Sequence, residues 1–245
     1  MDKFIEKSKE FALDLFFPKF CLGCQKEGSY LCEDCRAVLD IAEHNYCLCE
    51  THPMRLLPNS KSGKCPKCSG KNLSGLYFAL SYKEKDLTKK LIRQFKYPPY
   101  LKDLAKTLAS ILIEHFIKTG KNTNEIWENS VLIPVPSDKK KLKTRGYNQS
   151  EELAKELSKV LQVPVISNNL IKTKITSPQM ELKKYQREKN LKNAFQMKNP
   201  AELSGKKTFL VDDVYTTGST MEECSQVLKT AGAQTVWGIA IAREG

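Results

Sequence analysis

No stretch of this 245-residue sequence approaches the roughly 20 consecutive apolar positions that a membrane-spanning helix requires. The opening residues, Met1-Asp2-Lys3-Phe4-Ile5-Glu6-Lys7, are broken by acids and lysines before any apolar run develops. They lack the uninterrupted apolar segment of a secretory signal, and a cytoplasmic protein is expected. No internal repeat longer than a pair of cysteines is visible. Acids are in deficit: 28 Asp and Glu stand against 40 Lys and Arg, a net charge of +12. That balance favours an anionic partner such as nucleic acid, a phosphorylated metabolite or a membrane surface. Solvated lysines on helix faces, such as Lys83, Lys85, Lys89 and Lys90, explain the bulk charge equally well.

What is present is an ordinary globular composition, 40% hydrophobic and 28% charged, in a chain long enough for one large domain or two unequal ones. Phe4, Ile5, Phe11, Ala12, Leu15 and Phe16 recur at near-helical spacing until Pro18, so residues 1–20 read as an amphipathic helix. Its polar face is mixed in sign, which favours packing on the protein over a membrane surface. Residues 21–72 are rich in Cys, Gly and Lys and poor in apolar runs, the texture of a metal-stapled module. From 73 to 245 apolar segments alternate between strand and helix character. Strands are expected at Leu76 to Tyr82, Val131 to Ile133, Val163 to Ile171, Thr208 to Val211 and Thr235 to Ala242. Helices are expected at Leu87 to Phe95, Leu101 to Ile117, Gln149 to Val160 and Ser219 to Thr230. Such alternation predicts an α/β domain with a parallel sheet.

Nine cysteines in a cytosolic chain point to metal rather than disulfides. Cys21-Leu-Gly-Cys24 and Cys32-Glu-Asp-Cys35 form two C-x2-C knuckles, and four thiolates suit tetrahedral zinc. Gly23 fits the tight knuckle turn. A second set comprises Cys47-Leu-Cys49, one residue tighter than a knuckle, and Cys65-Pro-Lys-Cys68. His44 and His52 flank it as possible substitutes, but the four cysteines are preferred. Four protein ligands leave no open position, so both zinc ions are expected to be structural. Cys224 shares a helix face with Met221, Val227 and Leu228 and reads as core filler.

The apolar run Thr208-Phe209-Leu210-Val211 leads to two adjacent acids, Asp212 and Asp213, then to Thr216-Thr217-Gly218-Ser219-Thr220 at the start of a helix. Open parallel sheets place ligands at the C-terminal edges of their strands. A glycine, several hydroxyls and the amides of a helix N-terminus make a phosphate cradle. Acids repel phosphate, so the pair beside such a cradle calls for a ligand with an anionic end and a diol or metal-bound end; ribose 5-phosphate has that shape. An ordinary helix capped by Thr217 or Ser219 explains neither the acid pair nor the run of hydroxyls.

This stretch resembles the type I phosphoribosyltransferase signature: an apolar run, Asp-Asp, Val, any residue, Thr-Thr-Gly, any residue, Thr. The resemblance implies that Asp212 and Asp213 hold the ribose hydroxyls and have the catalytic role, that Thr216, Thr217, Gly218, Ser219 and Thr220 hold the 5-phosphate, and that Mg accompanies phosphoribosyl pyrophosphate. It implies a parallel sheet flanked by helices with a small hood. Phe95-Lys96-Tyr97, Pro134-Val135-Pro136, Arg145-Gly146-Tyr147-Asn148-Gln149, Gln179 and Arg187-Glu-Lys-Asn190 are further similar to the ComF family, whose pattern places a cysteine-rich zinc ribbon ahead of the transferase-like domain. Two departures stand out: the C-x-C at Cys47, and Lys172 where an arginine is common, which loses a bidentate fork.

Pro134, Val135 and Pro136 lead into a basic loop carrying Lys139, Lys140 and Arg145. Cations at a strand exit suit a departing pyrophosphate, a nucleic-acid backbone, or simply solvent. Lys172 to Asn190 is long, polar and lysine-rich; it reads either as a lid bringing Lys172, Gln179, Arg187 and Asn190 over the site or as a charged surface helix over Glu181 to Leu191. The family resemblance implies a role in DNA uptake during natural transformation, beside a competence helicase and in contact with single-stranded DNA. Tyr97, Tyr100 and Tyr147 are candidate base stackers or packing residues. Two other readings are a phosphoribosyltransferase acting on an unidentified base, since no base-binding hood is recognisable, and an adaptor that senses the nucleotide precursor.

Overall fold

The computed structural model describes residues 18–58, 60, 62–82, 87–174 and 191–244. The expected N-terminal helix over 1–20 lies almost wholly outside them, as do Lys83, Lys85, Gln179, Arg187 and Asn190.

Four parallel strands form the central sheet in the order β1-β6-β5-β2, where β1 is Gly75–Ser81, β2 Ser130–Pro134, β5 Lys207–Tyr215 and β6 Thr235–Arg243. A second sheet of two short antiparallel strands, β3 (Leu170–Lys172) and β4 (Phe195–Met197), stands apart from it. The helices are α1 (Glu33–Ala37), α2 (Leu87–Lys96), α3 (Leu104–Lys118), α4 (Asn124–Trp127), α5 (Lys139–Arg145), α6 (Gln149–Leu161) and α7 (Ser219–Thr230). The expected α/β class with a parallel sheet is what folds, and the helix over Ser219 to Thr230 falls where its apolar spacing placed it.

Alternate strand residues point to opposite faces and feed two separate cores. One core gathers Tyr77, Ala79, Leu132, Phe209, Val211, Ile239 and Ile241 against the apolar faces of α2, α3 and α6. The other gathers Leu76, Phe78, Val131, Ile133, Leu210 and Ala240 against α7, β3 and β4. The first group of cysteines packs toward the former core through Leu22, Leu31 and Cys35, while Cys47, Cys65 and Cys68 belong to the latter. The two cysteine groups therefore lie with opposite faces of the sheet.

Three expectations need correction. The run Val163 to Ile171 is not one strand: Val165 makes a single parallel bridge to Leu132, and the chain then turns at Asn168, φ 61°, before β3 begins. Asn tolerates that left-handed geometry, and the Asn169 side chain fastens the turn to the carbonyl of Asn199 and to Glu202 at 3.0 and 2.9 Å. The basic loop after Pro136 is mostly helix, α5. Asp138 caps it by accepting from the Lys140 amide at 3.0 Å, and the run to Arg145 contains no helix breaker. Finally, the acid pair does not follow its strand but lies within it, because β5 continues to Tyr215.

Candidate phosphate and ribose site

β5 pairs with β2 only as far as Val211 opposite Pro134, whereas its pairing with β6 continues to Tyr215 opposite Arg243. Asp212 and Asp213 thus emerge just where β2 departs, at the C-terminal edge of the sheet. Asp213 is 7% exposed and forms an ion pair with Lys96 at 2.9 Å. Asp212 accepts from Ser150 Oγ at 2.9 Å and from the Asp213 amide at 2.8 Å.

Burial, then the neighbouring Asp213, pushes the Asp212 carboxyl from 3.8 up to about 7, against the opposing pull of Lys96 and the two hydrogen bonds. Lys96 is raised: burial works against its charge, but the Asp213 carboxylate outweighs it. A carboxyl with a raised folded-state pKa binds its proton more tightly folded than unfolded. Its contribution to stability is full below about 3.8 and is lost as pH rises through about 7. Asp212→Asn, which fixes the neutral form, should melt higher than wild type at pH 8 and flatten the fall in stability between pH 4 and 7. Thermal melts across that range check this; a lower melting temperature for the variant at pH 8 contradicts it.

The run Tyr147-Asn148-Gln149-Ser150 holds these groups in place. Tyr147 Oη and Gln149 Nε2 donate to the Phe95 carbonyl at 2.7 and 3.4 Å, fixing the end of α2 that carries Lys96. Asn148 donates to the Val135 carbonyl at 3.0 Å, accepts from Ser137 Oγ at 2.8 Å, and caps α6 through the Ser150 amide at 3.2 Å. Val135 in turn donates its amide to the Val211 carbonyl at 2.9 Å. Pro134, Val135 and Pro136 are thereby tied to the strand that carries the acids. Tyr147, buried with its hydroxyl engaged, is a packing residue rather than a base stacker. Tyr97 is 43% exposed.

After Tyr215 the loop turns at Gly218, φ 76°, and enters α7. Gly218 stands at the N-cap and offers no side chain to cap the helix, and Thr217 Oγ1 faces Ser219 Oγ at 2.8 Å and accepts from the Ser219 amide at 3.4 Å. The arrangement leaves a hydroxyl cluster beside helix amides, suited to an oxyanion. The acids, Lys96 and this loop follow one another at one sheet edge. α5 exposes Lys139 and Lys140, while Arg145 is half-buried and its buried Nε has no hydrogen-bond partner among the described residues. Lys172, expected in a lid, sits in β3 with its ammonium 3.6 Å from Asp138. Burial, helped by Lys141, lowers its pKa against the pull of Asp138.

Sequence reasoning did not single out Lys96, Ser150, Asn148 or Arg243 as site residues. Lys96 and Asn148 lay inside quoted motifs, whereas Ser150 carried no signal, since a serine in the first turn of a helix is commonplace. Arg243 did leave a trace: one cation closing the apolar strand from Val236 to Ala242.

The cysteines form two groups in which all four Sγ atoms lie within 4.8 Å of one another: Cys21, Cys24, Cys32 and Cys35, and Cys47, Cys49, Cys65 and Cys68. None is in a disulfide. Tetrahedral zinc with Zn–S near 2.3 Å requires sulfurs about 3.8 Å apart. Cys24–Cys32 and Cys49–Cys65 at 3.5 Å and Cys65–Cys68 at 3.7 Å match that spacing. Backbone amides point at the sulfurs, Met54 to Cys47 at 3.1 Å and Cys32 to Cys21 at 3.4 Å, as thiolate charge requires. A Cβ on Gly23 would lie 2.5 Å from Cys35 Sγ, so the knuckle needs glycine there. Contact with Cys65, then burial, pushes Cys49 up to about 12; in Cys65, burial is outweighed by the Cys68 amide, the Cys49 thiol and the Lys67 amide, and the thiol falls to about 6. Four such thiols compete for charge unless a cation neutralises them, and both groups fit zinc. The C-x-C spacing at Cys47 is no obstacle, and neither His44 nor His52 joins the group. Cys224 is fully buried in the core, as expected.

Residues 142–244 match the phosphoribosyl transferase domain family. The chain is 36% identical over 153 residues to Competence protein F of Haemophilus influenzae, covering 61% of this chain and 66% of that protein. It is 33% identical over 146 residues to DNA utilization protein YhgH of Escherichia coli K12, covering 60% and 63%. The match thus spans just under two thirds of the length of these relatives. A solved glutamine phosphoribosylpyrophosphate amidotransferase from B. subtilis aligns at 21% identity and TM-score 0.34, covering 56% of this chain and 25% of that one. Among the described residues no helix is long and apolar enough to cross a membrane. Two cysteine groups able to hold metal thus precede a phosphoribosyl transferase-like domain, in a homologue of Competence protein F and the YhgH proteins.

Proposed function

We propose that this homologue of Competence protein F binds phosphoribosyl pyrophosphate or a related ribose 5-phosphate and acts in DNA uptake in the cytoplasm. The observation that carries the ligand is the succession of Asp212, Asp213 and the Thr216–Thr220 loop along one strand-to-helix turn, which offers carboxylates for a diol and amides with hydroxyls for a phosphate. Asp212 and Asp213 would hold the ribose hydroxyls; Thr216, Thr217, Gly218, Ser219 and Thr220 would hold the 5-phosphate. Lys139, Lys140 and Arg145 would face a pyrophosphate, with Pro134 to Pro136 fixing where that segment leaves the sheet. Gln179, Arg187 and Asn190 are proposed to close over the ligand from beyond the described residues. Hard oxygen ligands beside substrate phosphates suit Mg, which would neutralise pyrophosphate charge.

The names of the relatives support the DNA role, and the exposed lysines of α5 support contact with a single strand beside a competence helicase. Residues 21–72 are proposed as a double zinc-ribbon module, each ion structural, and 73–245 as the transferase-like domain. A second reading, turnover on an unidentified base with release of pyrophosphate, is favoured by the buried Nε of Arg145 at the basic segment, which has no hydrogen-bond partner among the described residues.

Diol recognition is testable by competition. Ribose 5-phosphate should displace bound phosphoribosyl pyrophosphate, whereas 2-deoxyribose 5-phosphate, lacking one hydroxyl, should be on the order of 10-fold weaker because a buried carboxylate is left unpaired. Equal competition by the two sugars contradicts the assignment of the acid pair. Pyrophosphate release on adding bases separates turnover from binding alone.

A further inference from the structure

Each cysteine group is fastened to the domain by an arginine, and the two attachments lead to different places. Arg36, in α1, donates to Glu114 at 3.0 and 2.8 Å and to Ser110 Oγ at 2.8 Å, so the first group is held to α3. Arg243 is the last residue of β6, in register with Tyr215. Its buried guanidinium lies 5.6 Å from the ring centroids of both Phe78 and Tyr215. It donates to the Cys47 carbonyl at 2.8 Å and to the Cys49 carbonyl. The Tyr215 hydroxyl occupies the place a Cβ on Gly218 would take, 2.2 Å away.

A continuous line of contacts thus runs from the second cysteine group through Arg243 and Tyr215 to the turn of the hydroxyl loop. A second line ends on the same helix. Glu222, in the first turn of α7, accepts from the Asn72 amide and from the Leu73 amide at 3.2 Å, just beyond Cys68. The first line runs from the second group to the loop, and the second from just beyond that group to the first turn of the helix the loop opens.

We propose that Arg243 is a positioning residue that couples metal occupancy at Cys47, Cys49, Cys65 and Cys68 to the geometry of Thr216–Thr220. The carbonyls of Cys47 and Cys49 hold their places only while the four thiolates are gathered on a cation, because a segment this short folds by metal binding. When they leave, the guanidinium loses both acceptors in a buried site and the Tyr215 ring loses its support. Metal loss from the second group therefore loosens the loop, while metal loss from the first group does not. The coupling bears on ligand binding through the ribose-phosphate reading of the loop.

The test is amide hydrogen exchange across 216–222 in the full chain, with zinc content followed alongside. In wild type treated with graded chelator, exchange there should rise about 10-fold in step with opening of residues 47–54, within the usual range of coupling between sites. Arg243→Gln should show raised loop exchange with the first ion still bound, Arg243→Lys should lie between, and Arg36→Gln should leave the loop at the wild-type level. Unchanged loop exchange in a cooperatively melting Arg243→Gln overturns the proposal, as does an equal rise in Arg36→Gln. If Arg243→Gln does not fold, Arg243→Lys and the chelator series decide the matter by the same criterion. Titration with phosphoribosyl pyrophosphate separates the two claims. No binding by wild type defeats the ligand reading while exchange still judges the coupling, and equal affinity in wild type and Arg243→Gln overturns the coupling alone.

Discussion

Gly218→Ala should abolish ligand binding at the hydroxyl loop while leaving the rest of the domain folded. At φ 76° an L side chain is strained by roughly 1–2 kcal/mol whatever the space around it. The space is also taken: the new Cβ would meet Tyr215 Oη at 2.2 Å and the ring carbon bearing it at 2.4 Å. Tyr215 cannot yield, being 2% exposed and stacked beneath the Arg243 guanidinium. The loop must move instead, carrying Thr217 and Ser219 away from the first amides of α7. A displacement near 1 Å in a preorganised site costs on the order of 100-fold, and the expected loss of affinity is at least that. Calorimetric titration measures it, and urea unfolding should register a loss of about 1–3 kcal/mol. An alanine variant with wild-type affinity would show that the loop does not contact the ligand.

The second large effect is expected at the cysteines. Cys47→Ser should lower the zinc content from about two ions per chain to about one and unfold residues 47–68, since a serine hydroxyl does not replace a thiolate in a four-sulfur site. Cys47 is fully buried, its sulfur accepts from the Met54 amide at 3.1 Å, and its carbonyl serves Arg243, so the damage should spread to β6. Cys224→Ser provides the contrast: that thiol is buried in the core, away from both sulfur groups, and the variant should keep two ions. Metal analysis of the purified proteins checks both expectations. One ion per wild-type chain would restrict zinc to the first group and leave the C-x-C half without a metal.

Much of this arrangement is local and so was legible in the sequence. The apolar runs of β1, β2, β5 and β6 are strands because both faces of a parallel sheet are covered, which makes them nearly continuous in hydrophobicity. The cysteine spacing, the acid pair and the Thr-Thr-Gly run are each contained within a few residues. Lysine density hid the helical character of α5, although Asp138 stands where an N-cap belongs. Apolar composition concealed the break between Val165 and β3, which depends on Asn169 reaching residues 30 and 33 positions away. Long-range partners were the least legible: the Ser150 to Asp212 bond spans 62 residues and the Arg243 to Cys47 bond 196. No periodicity encodes such contacts, because they arise only when the sheet is assembled.

The central claim is that the edge of the sheet at Asp212 to Thr220 receives a phosphorylated ribose. Calorimetric titration of phosphoribosyl pyrophosphate with Mg into the zinc-loaded full chain tests it most directly, with the double variant Asp212→Asn, Asp213→Asn alongside. Saturable heat from wild type, lost in a double variant that still melts cooperatively and keeps its zinc, is the expected result. No heat from wild type, or the same affinity in both proteins, contradicts the account.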